Sequence, residues 1–160
     1  FGDLGLAHRL SLTFRWSAPI HDAEDASLSA DKRFARARRL IGSGSYAKAR
    51  EELAAAILEL GPDDRRQTLY HELSGSIAFK ENDIRKAKAS YTEGLSLAGA
   101  LGIKDPSVAA MYEGLGSCLL AEGEVSYALK FFRKAHELDP SPNTGRLIEE
   151  AEKKLKNRKN

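Results

Sequence analysis

MYEGLGSCLLAEGEVSYALKFFRKAHELDP, residues 111–140, is the stretch whose reading decides the fold. Tyr112, Leu115, Leu119 and Leu120 recur at helical spacing until Gly123 interrupts them. A second helical face follows in Ala128, Phe132, Ala135 and Leu138, and Asp139-Pro140 closes it. Gly116, Ala128 and Ala135 are small enough to let two helices approach closely, and Tyr112 and Phe132 are expected to fill the space between them. The stretch therefore predicts two helices joined by a tight turn.

The same skeleton occurs upstream. In SGSIAFKENDIRKAKASYTEGLSLA, residues 74–98, Gly75 corresponds to Gly116, Asn82 to the turn residue Gly123, Ala87 to Ala128 and Tyr91 to Phe132. Asparagine tolerates the left-handed conformation such a turn requires. A third copy, FARARRLIGSGSYAKAREELAAAILELGP, residues 34–62, carries Ala37, Gly44, Tyr46, Ala49, Leu53 and Ala56. Its first helix fits least well, with Phe34 one place off the expected aromatic. The unit resembles the tetratricopeptide repeat, a helix–turn–helix module of about 34 residues. The large aromatic, the Leu-Gly pair, the turn glycine, the Ala-Phe-Ala series and the final proline all match. His71 and Ser74 depart from the pattern, standing where a large aromatic and a leucine are usual.

The resemblance implies an all-α superhelix of three repeats, at about 31–62, 65–104 and 106–140, with a capping helix at 143–157. The spacing from Ala49 to Ala87 is 38 residues and from Ala87 to Ala128 it is 41. Both exceed the family period, so LSLAGALGIKDP (95–106) is expected to lengthen its helix before Asp105 caps the next and Pro106 opens it. Gly42-Ser43-Gly44-Ser45 reads as another turn, with Ser45 as the cap. Leu147, Ile148, Ala151 and Leu155 form the apolar stripe of the final helix, which a repeat array needs to close its end.

Composition limits the function classes. The chain has 160 residues, 42% hydrophobic and 30% charged, with net charge +2. Residues 31–140 carry 17 basic against 16 acidic side chains, so there is no broad basic face for nucleic acid. The basic tail at 153–160 (Lys153, Lys154, Lys156, Arg158, Lys159) reads as a solvated end. One cysteine, Cys118, allows no internal disulfide and reads as a packed thiol. No catalytic constellation is recognisable: the four histidines are scattered, and the 42–45 turn lacks the Gly-Lys-Ser/Thr of a phosphate loop. His21, Asp22, Glu24 and Asp25 match no metal loop. The expectation is a protein that is not an enzyme and holds no cofactor or metal.

In the repeat family, partners bind the concave face lined by the first helix of each repeat. Carried onto matching positions, the resemblance implies Leu69, Glu72, Ser76 and Phe79 in the second repeat. In the third it implies Ala110, Glu113, Ser117 and Leu120, and in the first Phe34, Arg38 and Ile41. Such a mixed groove suits a peptide or helix with an apolar anchor. The alternative is that Phe79 and Leu120 are covered by the capping helix or by the N-terminal segment. The Lys/Asn/Arg clamp that relatives use for carboxylates is missing, since Phe34, Leu73, Ala110 and Gly114 stand at its positions.

FGDLGLAHRLSLTFRW, residues 1–16, breaks the helical pattern. Leu10, Leu12, Phe14 and Trp16 alternate with Ser11, Thr13 and Arg15, the period of a half-buried strand. With its Gly-Asp turn and terminal aromatic it resembles the last strand of a bacterial outer-membrane β-barrel. That resemblance implies that residues 17–30 are a linker and that the repeats hang in the periplasm, tethered to the outer membrane. Membrane contact would then be only indirect, through a missing upstream barrel; a cytoplasmic setting is the alternative. A strand without its neighbours is sticky, so residues 1–16 are expected to dock onto a repeat or to form a homodimer. The leading expectation is a protein-binding scaffold serving as the soluble arm of a larger envelope protein. The alternatives are a self-assembly module and a cytoplasmic regulatory domain that senses a peptide.

Overall fold

The computed structural model of the chain describes residues 23–157, with side chains from residue 29. Among these residues there are seven helices and no strand. They are α1 (Ala23–Gly42), α2 (Tyr46–Leu58), α3 (Gln67–Lys80), α4 (Ile84–Leu101), α5 (Pro106–Ala121), α6 (Val125–Leu138) and α7 (Pro142–Asn157). The first six form three hairpins, α1/α2, α3/α4 and α5/α6, and α7 packs on α6. The strand expected at 1–16 lies outside the described residues. Helix α1 begins within the stretch expected to be a linker.

The hairpin turns share one geometry. Gly44, Asn82 and Gly123 each have positive φ, at 76°, 63° and 83°. In each turn the amide of that residue donates to a carbonyl three residues back, and the next amide reaches five residues back. The longer bonds run from Ser45 to Leu40, Asp83 to Ala78 and Glu124 to Leu119, all between 2.8 and 2.9 Å. This is the Schellman termination, which satisfies the last carbonyls of the first helix. Gly102 ends the lengthened α4 in the same way, with Ile103 N donating to Ala98 O at 2.9 Å and Ile103 packed into the core.

Helix starts differ more. Asp105 caps α5 as expected, accepting from Ser107 N at 3.0 Å, with Pro106 as the first helical residue. Asp83 caps α4 through Lys86 N at 3.0 Å. Ser45 occupies the cap position of α2, but its hydroxyl makes no cap bond and instead pairs with the Ser43 hydroxyl at 3.3 Å.

Each hairpin is held by a side chain of the second helix set against a small residue of the first. Phe132 is fully buried against Gly116, where an added Cβ would stand 2.7 Å from the ring. Tyr91 lies against Gly75 in the same way, at 2.5 Å, and also touches Gly114 on α5. In the first hairpin the residues at the corresponding positions are Ala37 and Leu53, both buried in one core cluster: larger than glycine on the first helix and smaller than an aromatic on the second. Tyr112 stacks on Phe131, with ring centroids 6.1 Å apart, and the Lys134 ammonium lies 4.5 Å from the Tyr112 ring centroid.

Three core clusters follow one another along the chain, one through α1, α2 and α3, one through α3, α4 and α5, and one through α6 and α7. The first helices α1, α3 and α5 touch their counterparts, whereas α2, α4 and α6 pack on first helices rather than on one another. The side shared by α1, α3 and α5 is termed the inner face.

Candidate functional site

Helices α3 and α5 run side by side on the inner face, and the start of α7 closes one end of the space between them. The result is a cleft of about 320 Å³. From α3 it is lined by Glu72, Ser76 and Phe79, and from α5 by Ala110, Glu113 and Ser117. Six of the expected groove residues (Glu72, Ser76, Phe79, Ala110, Glu113 and Ser117) thus meet in one place. They do so because each lies on the inner stripe of its helix, away from the buried stripe that packs on the second helices.

The remaining expected residues sit elsewhere. Arg38 and Leu69 line a neighbouring depression between α1 and α3, together with Phe34. Phe34 is itself a core residue, 2% exposed. Arg38 is joined to the cleft through Glu72, its guanidinium donating to Glu72 Oε2 at 3.1 Å. Ile41 packs on the first core cluster. Leu120 lies outside the cleft lining, packed with Leu119, Leu147, Ile148 and Leu155 where α7 covers α6.

The two glutamates of the cleft differ in what they are free to do. Glu113 is taken up by the cap: Asn143 Nδ2 donates to its Oε1 at 2.6 Å and Thr144 Oγ1 to its Oε2 at 2.9 Å. Thr144 is buried, and its amide donates to Ser141 Oγ at 3.1 Å, which caps the start of α7. Glu113 therefore fastens α7 to α5, at the end of α7 where a negative charge is favourable. Among the described residues Glu72 makes one ion pair, with Arg38. Its side chain is 13% exposed, and burial pushes its carboxyl above the ordinary value of 4.5, with Arg38 opposing and Asp105 reinforcing that rise. Ser117 donates to the Glu113 carbonyl of its own helix at 2.9 Å.

Tyr91 also lines the cleft, and the sequence reading did not place it there because it belongs to a second helix. Its ring passes between Gly75 and Gly114 to reach the inner face. Those two glycines, facing one aromatic, are the signal that could have found it. The residue is 5% exposed, and among the described residues no hydrogen bond is made by its hydroxyl. Burial pushes its phenol far above the ordinary range, and Cys118, Glu72 and Glu113 add to that. Cys118 is buried alongside, its thiol pushed up to about 11 by burial, which removes it from thiolate chemistry near neutral pH.

On the outer side, where α2 and α4 diverge over α3, lies a second cleft of about 300 Å³. Its charged residues, Arg50, Lys86, Glu81 and Glu93, balance in number. Arg50 bonds both carboxylate oxygens of Glu81, and His71 Nδ1 lies 3.5 Å from Glu93. Burial pushes the His71 imidazole below its ordinary 6.5, with Glu93 opposing. The inner cleft is the better candidate, since it holds a carboxylate and a hydroxyl with unused bonding capacity. No protein-family model matches the chain, and comparison with curated proteins returns no match.

Proposed function

We propose that this chain is a tetratricopeptide-type repeat module that binds a peptide or a partner-protein segment in the inner cleft and catalyses no reaction. The observation that carries the reading is the convergence of Glu72, Ser76 and Phe79 from α3 with Ala110, Glu113 and Ser117 from α5 on one inner surface. Phe79 supplies apolar surface, the serines and Glu72 supply polar contacts, and adjacent hairpins hold the two walls at fixed spacing. The repeat assignment is supported by three hairpins with Schellman turns and by the small-residue/large-residue pair that recurs in each. The place of the module as the periplasmic arm of an outer-membrane protein rests on residues 1–16 alone.

A photo-cross-linking residue at Ser76 tests the reading. It should trap a heterologous polypeptide, and Phe79→Ala should abolish the adduct; the same probe at Ser90, on α4, should not trap it. Adducts only between copies of this chain would transfer the function to self-assembly, and adducts indifferent to Phe79 would remove the groove.

A further inference from the structure

We propose that the inner cleft is a receptor for a cationic side chain, arginine above all, presented by the bound segment. The inference rests on the groove reading and names the chemistry of its occupant. Among the cleft-lining residues the charged groups are Glu72, Glu113, Asp139 and Lys80, and Asp105 stands close enough to Glu72 to act on its charge. The balance is negative. A carboxylate surplus alone would be an ordinary surface, but Tyr91 adds an independent feature. It is a residue only 5% exposed that lines the cleft, and among the described residues its hydroxyl has no protein partner. An oxygen so placed is open to a donor from a bound segment.

A guanidinium meets these demands together. Its donors lie in one plane, so it can give one hydrogen bond to the Glu72 carboxylate and another to the Tyr91 oxygen. Its aliphatic stem would lie along Phe79, Pro106 and Ala109, as long basic side chains do on apolar walls. The chain already contains the pairing in question. Arg38 donates to one oxygen of Glu72 from the neighbouring depression, 3.1 Å away, and the cleft opens on the other side of the same residue. The space suits one long side chain and its flanking backbone, at the small end of ligand pockets.

The test is an NMR titration of the full 160-residue chain with acetyl-Leu-Arg-Leu-amide and with the same peptide carrying neutral, isosteric citrulline. The arginine peptide should shift the amides of Ser76, Gly114 and Ser117, and the citrulline peptide should bind about tenfold more weakly. Glu72→Gln and Tyr91→Phe, which keep shape and the ring between the two glycines, should each weaken the arginine peptide several-fold and leave the citrulline peptide unaffected. Equal binding of both peptides in the cleft would overturn the cation receptor and leave the groove standing. Shifts confined to other surfaces, or none at millimolar peptide, would overturn the receptor; whether the groove falls with it is decided by the Ser76 cross-link and its dependence on Phe79.

Discussion

Glu72 is held at a cost to the fold. Its carboxyl pKa is raised by burial, so the folded state keeps a proton that the unfolded chain has lost. In the window above 4.5 the folded protein binds more protons, and stability falls as pH rises through the folded value. Glu72→Gln is expected to flatten that decline, leaving the variant no less stable than its parent at neutral pH even as it loses cleft binding. Thermal melts of both from pH 4 to pH 7 check this; a variant less stable throughout would show that the Arg38 pair outweighs the desolvation. Gly116 and Phe132 form a second residue-scale pair. Gly116→Ala should cost about 1–3 kcal/mol by forcing the ring aside. Combined with Phe132→Leu it recreates the Ala37–Leu53 arrangement, and a double-mutant cycle in urea should return a favourable coupling of about 1–2 kcal/mol. At this scale the sequence was only partly legible. The resemblance to the repeat family implied Glu72, Ser76 and Phe79 as groove positions, and the three line one cleft. It missed Tyr91, because reaching the cleft depends on the absence of side chains at Gly75 and Gly114, which is a three-dimensional property.

At the scale of the element, turns proved the most legible feature. Gly44, Asn82 and Gly123 were read as turn residues, and all three adopt the left-handed conformation. Asn82→Ala should therefore destabilise the chain by about 1–2 kcal/mol, whereas Asn82→Gly should stay within about 0.5 kcal/mol of the parent, both by denaturant titration. Caps were less legible. Asp105 and Asp83 bond the backbone as their side chains permit, but Ser45 has the right chemistry and a different partner. A serine hydroxyl has several acceptors within reach in a Gly-Ser turn, and local geometry decides among them. Helix α1 begins at Ala23, inside the stretch 17–30 expected as a linker, because an acidic, serine-rich stretch looks equally like a linker and like a helix N-terminus.

Over the whole molecule, stability is a sum of hairpins and the contacts between successive ones. Helix α7 covers the last of these. It buries Ala151 and shields Leu120, Val125 and Leu129 through Leu147, Ile148 and Leu155, while Asn143 and Thr144 hold Glu113. Ending the chain at Pro140 should remove about 3–5 kcal/mol and expose an apolar face, read as a lower melting temperature and concentration-dependent mass in light scattering. The arrangement of hairpins also sets how the array bends. Its inner helices already touch, so drawing the ends closer around a ligand compresses packed side chains. Its outer helices stand apart over a cleft spanned by the Arg50–Glu81 and His71–Glu93 pairs, so straightening meets only soft, partly solvated contacts. Spin labels at Lys48 and Lys130, on the outer helices, should accordingly give a distance distribution skewed to the short side. Such a skew would mark the chain as a one-way spring, stiff in closing and compliant in opening, that widens by flattening rather than by unfolding.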